Sequence, residues 1–181
     1  MRIEAASVLH SHAYPAYFQQ CRADGCEHYR HSQATPAVFY QQVLDHAAGR
    51  HLPPGYVPTQ TWFALDEGGD ILGAIRLRLG STPFILDQCG HIGYEVHPAA
   101  RGLGVAGSLL AHVQQHGTPQ LDGGWLMTCA DDNSASQRVI SRAGGVLLTA
   151  TAQGPGEAWL RYYHLPAQRY GNSRTGGQKI V

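Results

Sequence analysis

The sequence is short of charge, of paired cysteines and of long apolar runs, and each shortage removes a class of protein. Charged residues make up only 14% of the 181 residues, and the formal net charge is +0. Nucleic acids are gripped first through their phosphates, by a surplus of Lys and Arg on one face. No such surplus exists here, so no nucleic-acid partner is expected. No apolar run reaches the roughly 20 residues that cross a bilayer. The opening MRIEAASVLHSH lacks the apolar stretch of a secretory leader. The expected setting is cytoplasmic, with no membrane partner. Cys21, Cys26, Cys89 and Cys129 form no C-x-x-C pair. A chain of this length builds a core without disulfide staples, so they read as free thiols. H-E-x-x-H is missing too: His112 and His116 stand four apart without the intervening Glu and read as one exposed helix face. The stretch CRADGCEHYRH gathers Cys21, Cys26, His28 and His31, but its spacing matches no closed zinc site. No metal is expected, and no internal repeat is visible.

What is present is a globular composition, 43% hydrophobic. RIEAASVL (2–9) reads as a first strand. Helices follow at 12–23 and 36–48, the second with Thr35 as cap and Pro36 in its first turn. HLPPGYVPT (51–59) is a loop. Strands at 61–66 and 71–79 flank a hairpin turn, EGGD. Residues 80–88 are irregular or a short helical turn, and HIGYEVH (91–97) is a strand. A helix at 103–116 keeps Leu103, Ala106, Leu109, Leu110 and Val113 to one side. A strand at 125–129 leads to a helix capped by Asn133, running to about Arg142 and stopped by Gly144-Gly145. A hairpin of 146–151 and 157–164 around QGPG closes the domain. The tail from Pro166 to Val181 is polar, glycine-rich and expected to be loosely held. The order predicts one mixed α/β domain over 1–165, helices packed on a sheet, followed by a tail at 166–181.

The chemistry starts at RGLGVAG (101–107), where Gly102, Gly104 and Gly107 spell G-x-G-x-x-G. That pattern marks dinucleotide sites when the first glycine directly ends a strand. Here Pro98 ends the strand and Pro98 to Arg101 intervene. Asp122 lies before the next strand instead of at its end, and too little chain follows for a doubly wound domain. No Gly-Lys-Ser/Thr follows, which excludes a Walker loop. Two readings stay open. The bare backbone of Gly102, Gly104, Ala106 and Gly107, the helix start near Leu103 and the charge of Arg101 suit a phosphate seat. Alternatively, the small residues let the helix pack closely on the sheet.

The longer run GHIGYEVHPAARGLGVAGSLL resembles the acetyl-CoA-binding motif of the GNAT superfamily of N-acetyltransferases, R/Q-x-x-G-x-G/A. Arg101, Gly104 and Ala106 match it in order, with Val96 and Pro98 before it and Leu109-Leu110 after it. DDNSASQRVISRAGG, after its strand, is similar to the N-x-x-S-x-x-V-I…G-G form of the family's next element. The likeness covers roughly residues 60–165, and IRLRL followed by GHIGY resembles a poorly characterised bacterial subgroup. It implies a twisted, mostly antiparallel sheet of about seven strands flanked by about four helices. It implies acetyl-CoA as donor and a primary amine of a small molecule, amino acid or peptide as acceptor, with direct attack in a ternary complex. The pyrophosphate would rest on Arg101, Gly102, Leu103, Gly104, Val105 and Ala106. The pantetheine arm would run along Tyr94, Val96 and His97, and Asn133 and Ser136 would flank it. Residues 1–59 would then form the acceptor side and 60–165 the donor side. Homodimers are common in the family.

The catalytic groups are harder to read. The tyrosine that many members carry after the Asn is Ile140 here, which removes the usual acid; Ser136 is the candidate replacement. Glu95 is the candidate base. Alternation puts His91, Gly93 and Glu95 on one face and Ile92, Tyr94 and Val96 on the other. Arg76 and Arg78 share a strand face, either ion-paired toward Glu95 or, together with Tyr94, holding an acceptor carboxylate. The aromatics Tyr14, Tyr17, Phe18, Tyr29, Phe39, Tyr40 and Tyr56 serve either as core or as an acceptor pocket. Two other functions compete: a CoA-binding module without catalysis, and a dinucleotide-dependent oxidoreductase.

Overall fold

The period-two runs of the sequence become seven strands: β1 (Arg2–Ala5), β2 (Thr59–Leu65), β3 (Ile71–Arg78), β4 (Ile92–Val96), β5 (Gly124–Ala130), β6 (Val146–Ala152) and β7 (Trp159–Pro166). Among the described residues five α-helices accompany them: α1 (Tyr14–Ala23), a single turn α2 (Glu27–Arg30), α3 (Pro36–Ala47), α4 (Val105–His116) and α5 (Ser134–Arg142). The computed structural model describes residues 1–152 and 159–168. The QGPG turn and the tail beyond residue 168 lie outside the described residues.

The mixed α/β class and the strand number match the sequence reading, but the strands form two antiparallel sheets. One has the order β1-β2-β3-β4 and the other β5-β7-β6. The division falls between β4 and β5, and its physical cause is local. Gly90, in the left-handed region at φ 62°, lets the chain press so close to β5 that a Cβ would sit 2.8 Å from the Leu126 carbonyl oxygen. Beside it, the His91 N–H donates to Leu126 O (2.7 Å) and the Leu126 N–H donates to His91 Nδ1 (3.1 Å). No β4–β5 ladder continues beyond this vertex, so β4 keeps an open edge facing β5.

Several starts and stops follow the signals read from sequence. The Thr35 hydroxyl accepts from Val38 N–H to cap α3, and Asn133 Oδ1 accepts from Ser136 N–H to cap α5. The EGGD turn is closed by Asp66 N–H on Asp70 O (3.0 Å) and Asp70 N–H on Asp66 Oδ1 (2.9 Å). Two boundaries moved. β1 stops at Ala5 because the Ser7 N–H donates to His10 Nδ1 (3.2 Å), winding Val8–His10 into a 3₁₀ turn. α4 starts at Val105 instead of residue 103, since Gly102 and Gly104 hold left-handed φ values of 80° and 79° that a helix cannot include.

The β1-β2-β3-β4 sheet is covered on both faces. On one side α4 and α5 bury Leu109, Leu110, Val113 and Ile140 against Ile75, Leu77, Trp125 and Met127. The buried Gln114 amide ties this layer together by donating to Ala143 O (2.9 Å) and Pro166 O (2.8 Å). On the other side α1 and α3 bury Tyr14, Tyr17, Phe18 and Tyr40 against Phe63, Leu65 and Ala74. The aromatics of residues 11–59 are therefore mainly core; Tyr56, in contrast, is exposed.

Candidate active site

The loop after β4 is built to leave backbone donors free. Residues Pro98–Ala100 form a 3₁₀ turn, and residues 101–104 turn sharply into α4. Among the described residues no hydrogen bond occupies the N–H groups of Gly102 through Gly107; the next one, Ser108 N–H, donates to Gly104 O. The first N–H groups of a helix have no intrahelical acceptor, and they gather here at its positive end. A Cβ added at Gly102, Gly104 or Gly107 would meet nothing within 4 Å. Close packing on the sheet therefore does not account for these glycines. Leu103 is exposed, whereas the Val105 side chain is buried beneath the loop and offers only its N–H. Arg101 stands beside the loop, paired with Asp24 just past α1 (Nη1 to Oδ1, 3.3 Å, with a second, closer contact).

The open edge of β4 leads from the vertex to this loop. Arg78 N–H donates to His91 O and His97 N–H donates to Leu72 O, so the odd-numbered residues of the strand bond toward β3. Alternation then aims the N–H groups of Tyr94 and Val96 at the open edge. The side chains of Tyr94 and Val96 pack on the α4 layer. Tyr94 Oη is buried with no hydrogen-bond partner, and burial pushes its pKa up while the nearby Ser136 hydroxyl opposes the shift. Ser136 sits in the first turn of α5, half-buried. Ile140 is core, packed so tightly that a Cβ on Gly145 would lie 2.4 Å from its Cγ2.

Glu95 points the other way, toward α1 and α2. Its carboxylate takes both terminal nitrogens of Arg76 (Nη1 to Oε1, 2.9 Å, and Nη2 to Oε2), and accepts from Tyr17 Oη (3.0 Å) and Tyr29 Oη (2.7 Å). Both partners of the pair are more than nine-tenths buried. Burial alone would raise the Glu95 pKa, but the Arg76 guanidinium overrides it and holds the carboxyl well below its usual range. A carboxylate held this way is a weak proton acceptor at neutral pH. Tyr17 and Tyr29 shift upward, through burial first and the Glu95 charge second, and stay neutral hydroxyl donors. Sequence reasoning missed both tyrosines as partners, because they lie 78 and 66 residues away in the chain.

His91 has both ring nitrogens engaged at the vertex. Fully buried at the vertex, it accepts from Leu126 N–H at Nδ1, which leaves the proton on Nε2 to donate to Ser81 Oγ (2.9 Å). Burial, then the charge of Arg78, lowers its pKa and keeps the ring neutral. His97 Nδ1 accepts from Ala99 N–H (3.2 Å), and its ring lies over Tyr17. The Asn133 amide oxygen is used by the cap of α5. Among the described residues no group of three or more His, Cys, Asp or Glu could hold a metal ion, and the four cysteines are free thiols.

The free N–H groups of the loop thus lie at the end of the unpaired edge of β4. Residues 24–144 match the Acetyltransferase (GNAT) family, and the chain belongs to that family. No curated protein sequence matches the chain. Solved structures share its fold at low identity. The yncA acetyltransferase of Salmonella typhimurium, solved with acetyl-CoA, is 12% identical with a TM-score of 0.64, over 97% of this chain and 98% of that one. A ribosomal-protein-alanine N-acetyltransferase of Brucella melitensis is 15% identical with a TM-score of 0.68, over 92% and 99%. RimL, a ribosomal protein acetyltransferase in complex with coenzyme A, is 18% identical with a TM-score of 0.63, over 91% and 92%. The protein is an acetyltransferase of that family. No helix among the described residues is long and apolar enough to cross a membrane.

Proposed function

We propose that the protein transfers the acetyl group of acetyl-CoA to the primary amine of a small molecule, amino acid or peptide, by direct attack in a ternary complex. The observation that carries this reading is the run of free N–H groups from Gly102 to Gly107, placed at the end of the open edge of β4. Residues 101–106 fit the pyrophosphate, and the N–H groups of Tyr94 and Val96 fit the pantetheine arm and the carbonyl oxygen that gains charge during transfer. When bound, acetyl-CoA supplies an acyl group activated as a thioester. His97 and Asn133 border the arm, Asn133 through whatever capacity its cap leaves.

The residues divide the remaining work. Glu95 is assigned to holding Arg76 and not to proton abstraction, because its carboxylate is already filled by four donors. The acceptor then enters as the free amine, and an α-amino group, with its pKa near 8, supplies enough of that form without a strong base. Ser136, next to the buried Tyr94 hydroxyl, holds the proton on the side where the thiolate departs. Residues 1–59 serve the acceptor and 60–165 the donor within one domain. A homodimer through the free edge of β6 belongs to the same reading, since Val146, Leu147 and Leu148 are exposed there.

The test is Gly104→Trp. At φ 79° the new side chain carries a backbone strain of about 1–2 kcal/mol, but it meets open space, so the fold survives. Titration calorimetry should show acetyl-CoA affinity weakened about 100-fold or more. Normal affinity in a folded variant would remove the loop from the donor site. Stabilisation of the wild type by NADH and not by acetyl-CoA would favour an oxidoreductase instead. Binding of acetyl-CoA without thiol release on any amine would favour a non-catalytic module.

A further inference from the structure

The acceptor-side face of β3 and β4 carries more positive charge than negative, and the surplus rests on one side chain. Arg76 and Arg78 both reach across Gly93. A Cβ there would lie 3.5 Å from Nη1 and Nη2 of Arg78 and 3.9 Å from Nη2 of Arg76. Arg76 is neutralised by Glu95. Arg78 has no carboxylate in ion-pair range among the described residues. Its Nη1 donates to Gly90 O (3.1 Å) and, at 3.4 Å, to Cys89 O. Among the described residues Nε and Nη2 donate to nothing. The titratable groups that interact with its charge are Cys89, Tyr56, His28, His91 and Arg76, none of them a carboxylate. Most of the side chain is withdrawn from water, and this burial weakens its hold on the proton. A largely buried cation without a counter-ion costs free energy that two carbonyl contacts repay only in part.

We propose that Arg78 receives a carboxylate of the acceptor through its two free donors, so that the acceptor is an amino acid or a peptide-like compound with its amine next to a carboxylate. The inference rests on the acetyl-transfer reading and narrows it. The two free donors form the planar fork that matches a carboxylate. Gly93, which has no side chain, keeps the strand beside them clear. In an α-amino acid the amine is two bonds from the carboxylate carbon. Seating that carboxylate on Arg78 brings the amine to the Gly93–Tyr94 stretch of β4, near the vertex of the open edge. The exchange is balanced: the amine lone pair forms the N–C bond and the C–S electron pair leaves with sulfur. The amine gives up one proton and the thiol takes one. The product keeps the carboxylate and loses the amine's charge.

The experiment measures kcat/KM with acetyl-CoA for the standard L-amino acids, for the carboxamide of each, and for benzylamine and tyramine, which carry no carboxylate. At least one free acid should exceed its own amide about 100-fold. Arg78→Gln should remove about that factor for the acid and leave the amide nearly unchanged. Arg78→Lys, keeping the charge without the fork, should fall between. Acetyl-CoA affinity should be unaltered in both variants. Equal use of acids and amides by the wild type would overturn the assignment, as would an equal loss on both in Arg78→Gln, or turnover confined to benzylamine and tyramine. These outcomes leave acetyl transfer itself standing. If acetyl-CoA binds and no amine of the three classes is acetylated, this inference fails, and a panel of peptides with free N-termini then decides the transfer reading. Should Arg78→Gln not fold, the wild-type comparison of acid with amide decides alone.

Discussion

Replacing Glu95 with Gln separates two roles that the same carboxylate could hold. Among the described residues Glu95 is the only negative charge paired with the buried Arg76, and it accepts from two buried phenols besides. Gln keeps the shape and an acceptor oxygen but turns a donor toward the guanidinium. Breaking one side of a buried pair leaves an uncompensated charge and costs about 3–5 kcal/mol, a large part of the roughly 5–15 kcal/mol that holds a domain together. Urea unfolding at pH 7.5 should show that loss as a lower midpoint with unchanged slope. The double variant Arg76→Met with Glu95→Leu should recover most of it, since no charge is then stranded. The pH dependence has a definite sign. The folded-state pKa of Glu95 is depressed from 4.5, so its stabilisation is present above pH 4.5 and is lost as pH falls through the folded value. The acid limb of the wild-type stability curve should flatten in the double variant. Turnover by folded Glu95→Gln should fall by less than the roughly 100-fold or more that removal of a general base brings. A variant of wild-type stability whose turnover collapses would refute the reasoning and return Glu95 to the role of base.

Two further substitutions address the other side of the site and the vertex. Ser136→Ala should lower kcat about tenfold or more and leave the Kd of acetyl-CoA unchanged; unaltered turnover would remove Ser136 from proton delivery. His91→Phe strands the Leu126 N–H and should cost about 1–3 kcal/mol in chemical unfolding. Because the pKa of His91 is depressed below 6.5, its stabilisation is full above pH 6.5 and declines as pH falls. Melting curves from pH 8 to pH 5 should show the gap between wild type and variant narrowing toward acid.

The parts of the fold that were legible in the sequence are those fixed within a few residues. The Thr35 and Asn133 caps, Pro36 and the EGGD turn all act on their own neighbours, and each appears as read. Alternation correctly put Glu95 and Tyr94 on opposite faces. It gave no indication of what covers each face. The donors to Glu95 come from Tyr17 and Tyr29, and the division of the sheet depends on His91 meeting Leu126, 35 residues on. Such meetings follow from how the layers pack, and no local spacing encodes them. Gly90 was the available clue to the vertex. A glycine just before a strand signals close approach of backbone, but it does not say to which strand.

The five residues of β4 serve three directions at once, and this bears on how the site can change. Gly93 and Glu95 face the acceptor helices, Tyr94 and Val96 face α4, and the N–H groups of Tyr94 and Val96 face the open edge. The charges of Glu95 and Arg76 cancel within the β3–β4 pair, so neither is free to select a ligand. The donor, in turn, is met by backbone groups, which a side-chain substitution does not remove. That leaves Arg78, at the end of β3, as the group whose identity can alter acceptor choice without disturbing either the core or the donor cradle. On the proposed reading a cation there selects for carboxylates. On the same reading, Gln at position 78 would keep a donor for the Gly90 carbonyl at the vertex and should turn the same scaffold toward amines without a carboxylate.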